Sequence, residues 1–167
     1  TGLGVLQTHD GHDLAGAVNV ARAGMDLGPL SHAQVMTFIG NGARELVRRG
    51  ISFESGAASD AQIELALGHF REHYAQHLLD QTRPYPGVRE ALDIFARATA
   101  GPSRTLAVLT NKPLRFTRPI LDGLGLASYF RFIYGEDSFP AKKPDPVGLL
   151  SILRDTRSTP HEAMLIG

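Results

Sequence analysis

Thr110 and Asn111 lie in the stretch TLAVLTNKP, Thr105 to Pro113, where four apolar residues run into a hydroxyl, an amide, a lysine and a proline. A hydroxyl and an amide at the end of a buried strand, beside the N–H groups of a turn that opens a helix, suit the oxygens of a phosphate. The purely local alternative is that Thr110 caps the helix starting near Pro113. A second cluster follows in GEDSFPAKKPDPVGLL, where Lys142 and Lys143 are framed by Pro140, Pro144 and Pro146. Prolines reduce the entropy lost on fixing a loop, so they can aim a lysine, and an ammonium meets a phosphate as a compact point charge. An exposed, solvated lysine pair is the plain alternative.

These residues need elements to hold them. From Pro84 onward the pattern alternates. PGVREALDIFARA reads as a helix, TLAVLT as a strand, PLRFTRPILDGLGL as a helix and YFRFIYG as a strand. DPVGLLSILRDT and EAMLIG then give one more helix and one more strand. Such alternation predicts a parallel α/β sheet, in which ligands gather at the carboxyl ends of the strands. Thr110, Asn111 and Gly167 fall at such ends. Residues 1–12, TGLGVLQTHDGH, predict one weak strand around Val5-Leu6 and then a loop.

Between Asp13 and about Asp80 the periodicity is helical. Asp13 is a candidate N-cap, with Leu14, Ala17, Val18 and Ala21 on one face. Ser31 opens a second helix that stops at Gly40, a third runs from there to Gly50, and ASDAQIELALGHFREHYAQHLL forms a longer fourth.

In their order and spacing, LAVLTNKP, YGEDSFPAKKPDP and the apolar AMLIG resemble the haloacid dehalogenase-like phosphohydrolases, and the helical part and RPYPGVREAL are similar to the phosphoglycolate phosphatase type. The resemblance implies an α/β fold, with a Rossmann-like parallel-sheet core built from residues 1–12 and 84–167. Residues 13–83 would be an inserted all-helical cap domain. It also implies that Thr110 and Asn111 hold the phosphoryl group, that Lys143 stabilises its charge, and that Mg²⁺ is the cofactor. FIGNGARELV is similar to the cap turn that faces the active site, which makes Gly40, Asn41, Gly42 and Arg44 candidate substrate-binding residues. A helix–helix turn with a solvated arginine is the other reading. The implied reaction is hydrolysis of a small phosphorylated metabolite through an aspartyl phosphate, with a second aspartate as general acid/base.

The family's first motif has the form Asp-x-Asp-Gly-Thr. Aligned on Asp10-Gly11, this chain places Thr8 at the nucleophile position, Asp10 at the acid/base position and His12 in place of the threonine. Aligned backwards without gaps from DLAGAVN, it places Gly2 and Gly4 where the acids belong. A neutral hydroxyl needs an activating base and offers no carboxylate to a cation. The sequence ends at Gly167, where relatives continue into an acidic loop, so the metal ligands are unknown. Weak activity or none is therefore expected of the chain as written. A phosphosugar mutase of the same fold and a non-catalytic phosphate-binding protein are the alternatives.

Composition narrows the field. Among 167 residues, 17 Lys and Arg balance 17 Asp and Glu, which argues against a nucleic-acid or anionic-membrane partner that relies on broad attraction. With no cysteine, thiolate metal sites and disulfides are excluded. No apolar run reaches the roughly 18–20 residues of a membrane helix. With no signal-peptide pattern at the N-terminus, a cytoplasmic protein is expected. His69, His73 and His77 recur along one helical face and could share a zinc ion, or form a solvated stripe. The run His9 to Asp13 could likewise bind a metal adventitiously, though Asp13 suits a cap better.

Overall fold

The computed structural model describes residues 2–4, 10–98 and 105–166. Val5, Leu6, Thr8, His9 and Gly167 lie outside the described residues, and with them the expected strand at Val5-Leu6 and the candidate nucleophile position. The chain divides into two compact units, Thr1–Thr8 with Arg83–Gly167, and His9–Thr82.

In the unit His9–Thr82 every regular element among the described residues is a helix: α1 (Gly11–Ala23), α2 (His32–Met36), α3 (Ala43–Ser52) and α4 (Asp60–Gln76). The stripe Leu14, Ala17, Val18 and Ala21 is buried, as the 3.6-residue period requires. It packs among Val35, Leu46, Val47, Ile51, Ile63, Leu67, Phe70 and Tyr74, which are buried too. Ser31 heads α2 in a reciprocal capping box with Gln34, and Ser59 heads α4 in the same way with Gln62.

Two local expectations are corrected. Asp13 is not the N-cap of α1; Asp10 is, and its side chain makes no capping bond. Asp13 lies inside the first turn, 5% exposed, and its carboxylate accepts from Gln81 N–H (2.9 and 3.1 Å), Thr82 N–H (2.8 Å) and the Thr82 hydroxyl (2.6 Å). A helix cap uses one local N–H, whereas this carboxylate ties the start of the unit to its end. The third helix does not stop at Gly50 but continues to Ser52. A Cβ at Gly50 would meet Val18 Cγ1 at 2.8 Å, so this glycine serves close packing and not termination.

Arg22, 4% exposed, joins the same elements through its guanidinium. It donates to the carbonyls of Gly28 (2.5 Å), Gly50 and Phe53. Burial lowers its pKa from the ordinary value, while Glu54 opposes that shift.

The unit containing Arg83–Gly167 carries α5 (Val88–Ala98), β2 (Ala107–Leu109), α6 (Leu114–Gly123), β3 (Phe132–Tyr134), α7 (Val147–Asp155) and β4 (Met164–Ile166), together with β1 (Gly2–Gly4). Among the described residues two strand pairs are formed, both parallel. β1 pairs with β4 in the register Gly2↔Met164 to Gly4↔Ile166, and β2 pairs with β3 in the register Ala107↔Phe132 to Leu109↔Tyr134. β1 also lies against β2. The fold is α/β and Rossmann-like, as alternating helices and strands require. The β2–α6–β3 segment is one βαβ crossover, buried on one side by Leu92, Leu106, Val108, Leu121, Leu126, Phe130 and Ile133. Ala107, Leu109 and Ile152 form the cluster on the other. A three-residue strand buried on both faces reads in sequence as a continuous apolar run, which is why LAVL carries no alternation.

No helix among the described residues is long and apolar enough to cross a membrane.

Candidate functional site

β2 ends at Leu109, and its pairing with β3 carries on one bond further, from Thr110 N–H to the carbonyl of Tyr134 (3.1 Å). Thr110 therefore leaves the sheet with its backbone fixed. Its hydroxyl oxygen accepts from Lys112 N–H at 3.1 Å, a local turn that replaces the expected helix cap. The cap position of α6 belongs to Pro113, which makes no capping side-chain bond.

The loop after β3 locks this turn in place. Glu136 N–H donates to the carbonyl of Lys112 (3.1 Å), and Leu114 N–H, the first of α6, donates to the Asp137 carboxylate (2.8 Å). Gly135 is packed so closely that a Cβ there would lie 2.4 Å from Leu114 N and 2.7 Å from Lys112 O. The N–H groups of Thr110, Lys112 and Leu114 are thus engaged within the protein. These three amides are held because two crossing loops must satisfy their own backbone.

The lysine loop completes the arrangement. Residues 139–146 belong to no helix or strand. Asn111 spans to this loop with both ends of its carboxamide: Nδ2–H donates to the Lys143 carbonyl (3.0 Å), and Lys143 N–H donates to Oδ1 (2.9 Å). Thr110, Asn111, Gly135, Glu136, Phe139 and Lys143 line one cleft with about 210 Å³ of open space. Lys143 is half-buried, and desolvation lowers the pKa of its ammonium. Lys142, its neighbour, is exposed.

Thr110, Asn111 and Lys143 therefore meet around one cleft. Gly135, Glu136, Asp137 and Asp145 also shape this region and were not singled out from sequence; the run Gly-Glu-Asp directly after a strand was the available signal.

The other candidates belong to the unit His9–Thr82. Gly40 and Gly42, both at positive φ, and Asn41 form the turn between α2 and α3. Arg44 makes ion pairs with Asp60 (2.9 Å) and with Glu64, all three groups well exposed. The guanidinium is thus held by two acids of α4, in line with the solvated-arginine reading. Asp10 precedes α1, its carbonyl accepting from Leu14 N–H at 3.0 Å.

The histidine readings separate in the structure. His77 lies just beyond α4, its ring stacked on His73 at 4.2 Å and its Nδ1 2.7 Å from Asp80. His12 stacks on His32 at 3.9 Å. Among the described residues no group of three His, Cys, Asp or Glu is placed to hold a metal ion. The zinc stripe is not formed by them, and the His9–Asp13 reading includes His9, which lies outside the described residues. Mg²⁺ is usually held by one or two carboxylates together with phosphate oxygens and water. Glu136 and Asp145 border the cleft, where one Asp145 oxygen accepts from Val147 N–H (2.9 Å). These are the described carboxylates that could meet such an ion at the cleft.

Comparison with known proteins is consistent across sequence and fold. A family model for the haloacid dehalogenase-like hydrolases matches residues 12–167. Phosphoglycolate phosphatase 1 of Pseudomonas aeruginosa is 39% identical over 158 residues, covering 93% of this chain and 56% of that protein. The phosphoglycolate phosphatase of Chromobacterium violaceum is 36% identical, covering 93% of this chain and 68% of its own length. A crystal structure of a predicted phosphoglycolate phosphatase from Haemophilus somnus 129pt superposes with a TM-score of 0.88 at 28% identity, covering 98% of this chain and 74% of that one. The chain spans little more than half the length of the first of these relatives.

Proposed function

The chain belongs to the haloacid dehalogenase-like hydrolases, and from that membership we propose that it recognises and hydrolyses a small phosphomonoester, phosphoglycolate first among the candidates and other small phosphorylated metabolites, sugar phosphates included, after it. The observation that carries this reading is the shared cleft at the carboxyl ends of β2 and β3, with Thr110 on one side and Lys143 on the other. Relatives named phosphoglycolate phosphatase support the choice of substrate.

In this reading the Thr110 hydroxyl, which already accepts from Lys112 N–H, donates its proton to a phosphoryl oxygen. The half-buried Lys143 ammonium offsets the negative charge that grows as the ester bond breaks, and does so more strongly in a partly desolvated cleft than in water. Asp10 is the candidate acid/base group, and Gly40, Asn41, Gly42 and Arg44 of the proposed helical cap are candidates for reading the organic part of the substrate. Phosphatases of the family generally require Mg²⁺, which supplies Lewis-acid stabilisation of the phosphoryl oxygens when bound. In this reading the protein works in the cytoplasm on a small molecule, without a nucleic-acid or membrane partner.

Turnover by these 167 residues is expected to be slow or absent. Asp10 is the only carboxylate among residues 1–12, and Thr8 stands two positions before it. A second reading follows from the same observation: a protein that binds phosphate without turning it over. One experiment separates the two. Phosphate release from phosphoglycolate with Mg²⁺, at rates of about 1 s⁻¹ or more, would establish the enzyme; phosphate binding by calorimetry without turnover would establish the binder. If Thr110→Val and Lys143→Met both leave phosphate affinity unchanged, the cleft is not the site.

A further inference from the structure

We propose that Asn111 is a positioning residue: its carboxamide clamps the main chain of Lys143 and thereby fixes where the lysine's ammonium meets the anion beside Thr110. The inference rests on the phosphate reading of the cleft and deepens it. It replaces the expectation that Asn111 touches the substrate.

The geometry is reciprocal. Nδ2–H donates to the Lys143 carbonyl at 3.0 Å and Oδ1 receives Lys143 N–H at 2.9 Å, across 32 positions of sequence. The amide's orientation is unambiguous, since a carbonyl can only accept and an N–H can only donate. Pro144 brings no N–H of its own, so Lys143 supplies the donor at that point of the loop. No ladder fixes residues 139–146.

On its own side, Asn111 stands between two pinned residues. Thr110 N–H is held by Tyr134, and the Lys112 carbonyl receives Glu136 N–H at 3.1 Å. The clamp therefore transmits the rigidity of the β2–β3 ladder to a segment that lacks regular structure. A lysine side chain keeps its own rotamer freedom, so anchoring its Cα removes the backbone's share of the misplacement. Burial that lowers the Lys143 pKa makes the same demand, because a partly desolvated ammonium gains most from an anion held at a fixed place.

The test is a double-mutant cycle on the 167-residue chain, read as calorimetric affinity for inorganic phosphate, with Asn111→Ala and Lys143→Met made singly and together. Asn111→Ala should weaken binding about tenfold, in the range for a lost pair of hydrogen bonds. On the Lys143→Met background it should change binding less than about twofold, since no ammonium remains to be positioned. An equal factor in both backgrounds would make Asn111 a direct ligand and overturn the proposal, and so would no effect of Asn111→Ala alone. If Lys143→Met alone leaves phosphate binding unchanged, the phosphate reading falls first and the positioning role with it. Amide exchange follows the clamp without any phosphate: Lys143 N–H should lose protection in Asn111→Ala, and retained protection would overturn the clamp itself. Asn111→Ser, which is neutral and too short to span to the Lys143 main chain, takes the place of the alanine variant should that one fail to fold, with the same expected pattern.

Discussion

Lys143 is held where its charge is penalised. Burial lowers its pKa below the ordinary 10.5, so in the folded state it gives up its proton at a pH where an exposed lysine still keeps it. The sign has two consequences. The stability cost of the buried ammonium stands in full below the lowered folded pKa and fades as pH rises towards the unfolded value. Anion binding moves the other way, being complete at low pH and lost as the lysine deprotonates. Phosphate affinity, followed from about pH 8 to about pH 11, should therefore begin to fall below pH 10.5, while Lys143→Arg, which stays charged throughout, should show no such fall. A decline of equal size in the arginine variant would remove Lys143 from the site.

At the scale of elements, the sequence predicted more of the helices than of their ends. The buried stripe of α1 follows from spacing alone, as does Ser31 as a helix start. Asp13 was misassigned because a carboxylate near a helix start has a common local use. Its real partners, Gln81 and Thr82, are 68 and 69 positions away, and nothing in a local pattern marks such a distance. Asn111 likewise reaches far along the chain, its carboxamide bracketing the main chain of Lys143 across 32 positions. Asn19 brackets Leu30 in the same manner, accepting from its N–H (2.8 Å) and donating to its carbonyl (3.0 Å). For Asp13 the expected outcome is direct. Asp13→Ala leaves the buried Thr82 N–H and the part-buried Gln81 N–H without their acceptor and should cost about 2–3 kcal/mol, measured by urea unfolding followed by circular dichroism. A loss under about 0.5 kcal/mol would show that water or a neighbour replaces the carboxylate.

For the molecule as a whole, the α/β class and the order of helices and strands could be read from alternation, because each strand here is a short apolar run bounded by turn residues. Which strands pair could not be read. β1 meeting β4 and β2 meeting β3 are contacts across most of the chain or across a crossover, which no local pattern marks. The cleft was legible as three residue types in a fixed order. The loop after β3 that braces it was not, since its contribution comes mainly from backbone groups and from one residue without a side chain.

That residue, Gly135, has an unexceptional φ of −98°, open to any amino acid, yet only hydrogen fits. It acts as a spacer of zero thickness between the strand exits. A methyl group there would wedge Leu114 and Lys112 away from β3, so Gly135→Ala should destabilise the protein by about 1–3 kcal/mol and speed amide exchange at Thr110 and Glu136. The width of the mouth is thus written into the sequence as an omission, and a single carbon would be enough to prise it open.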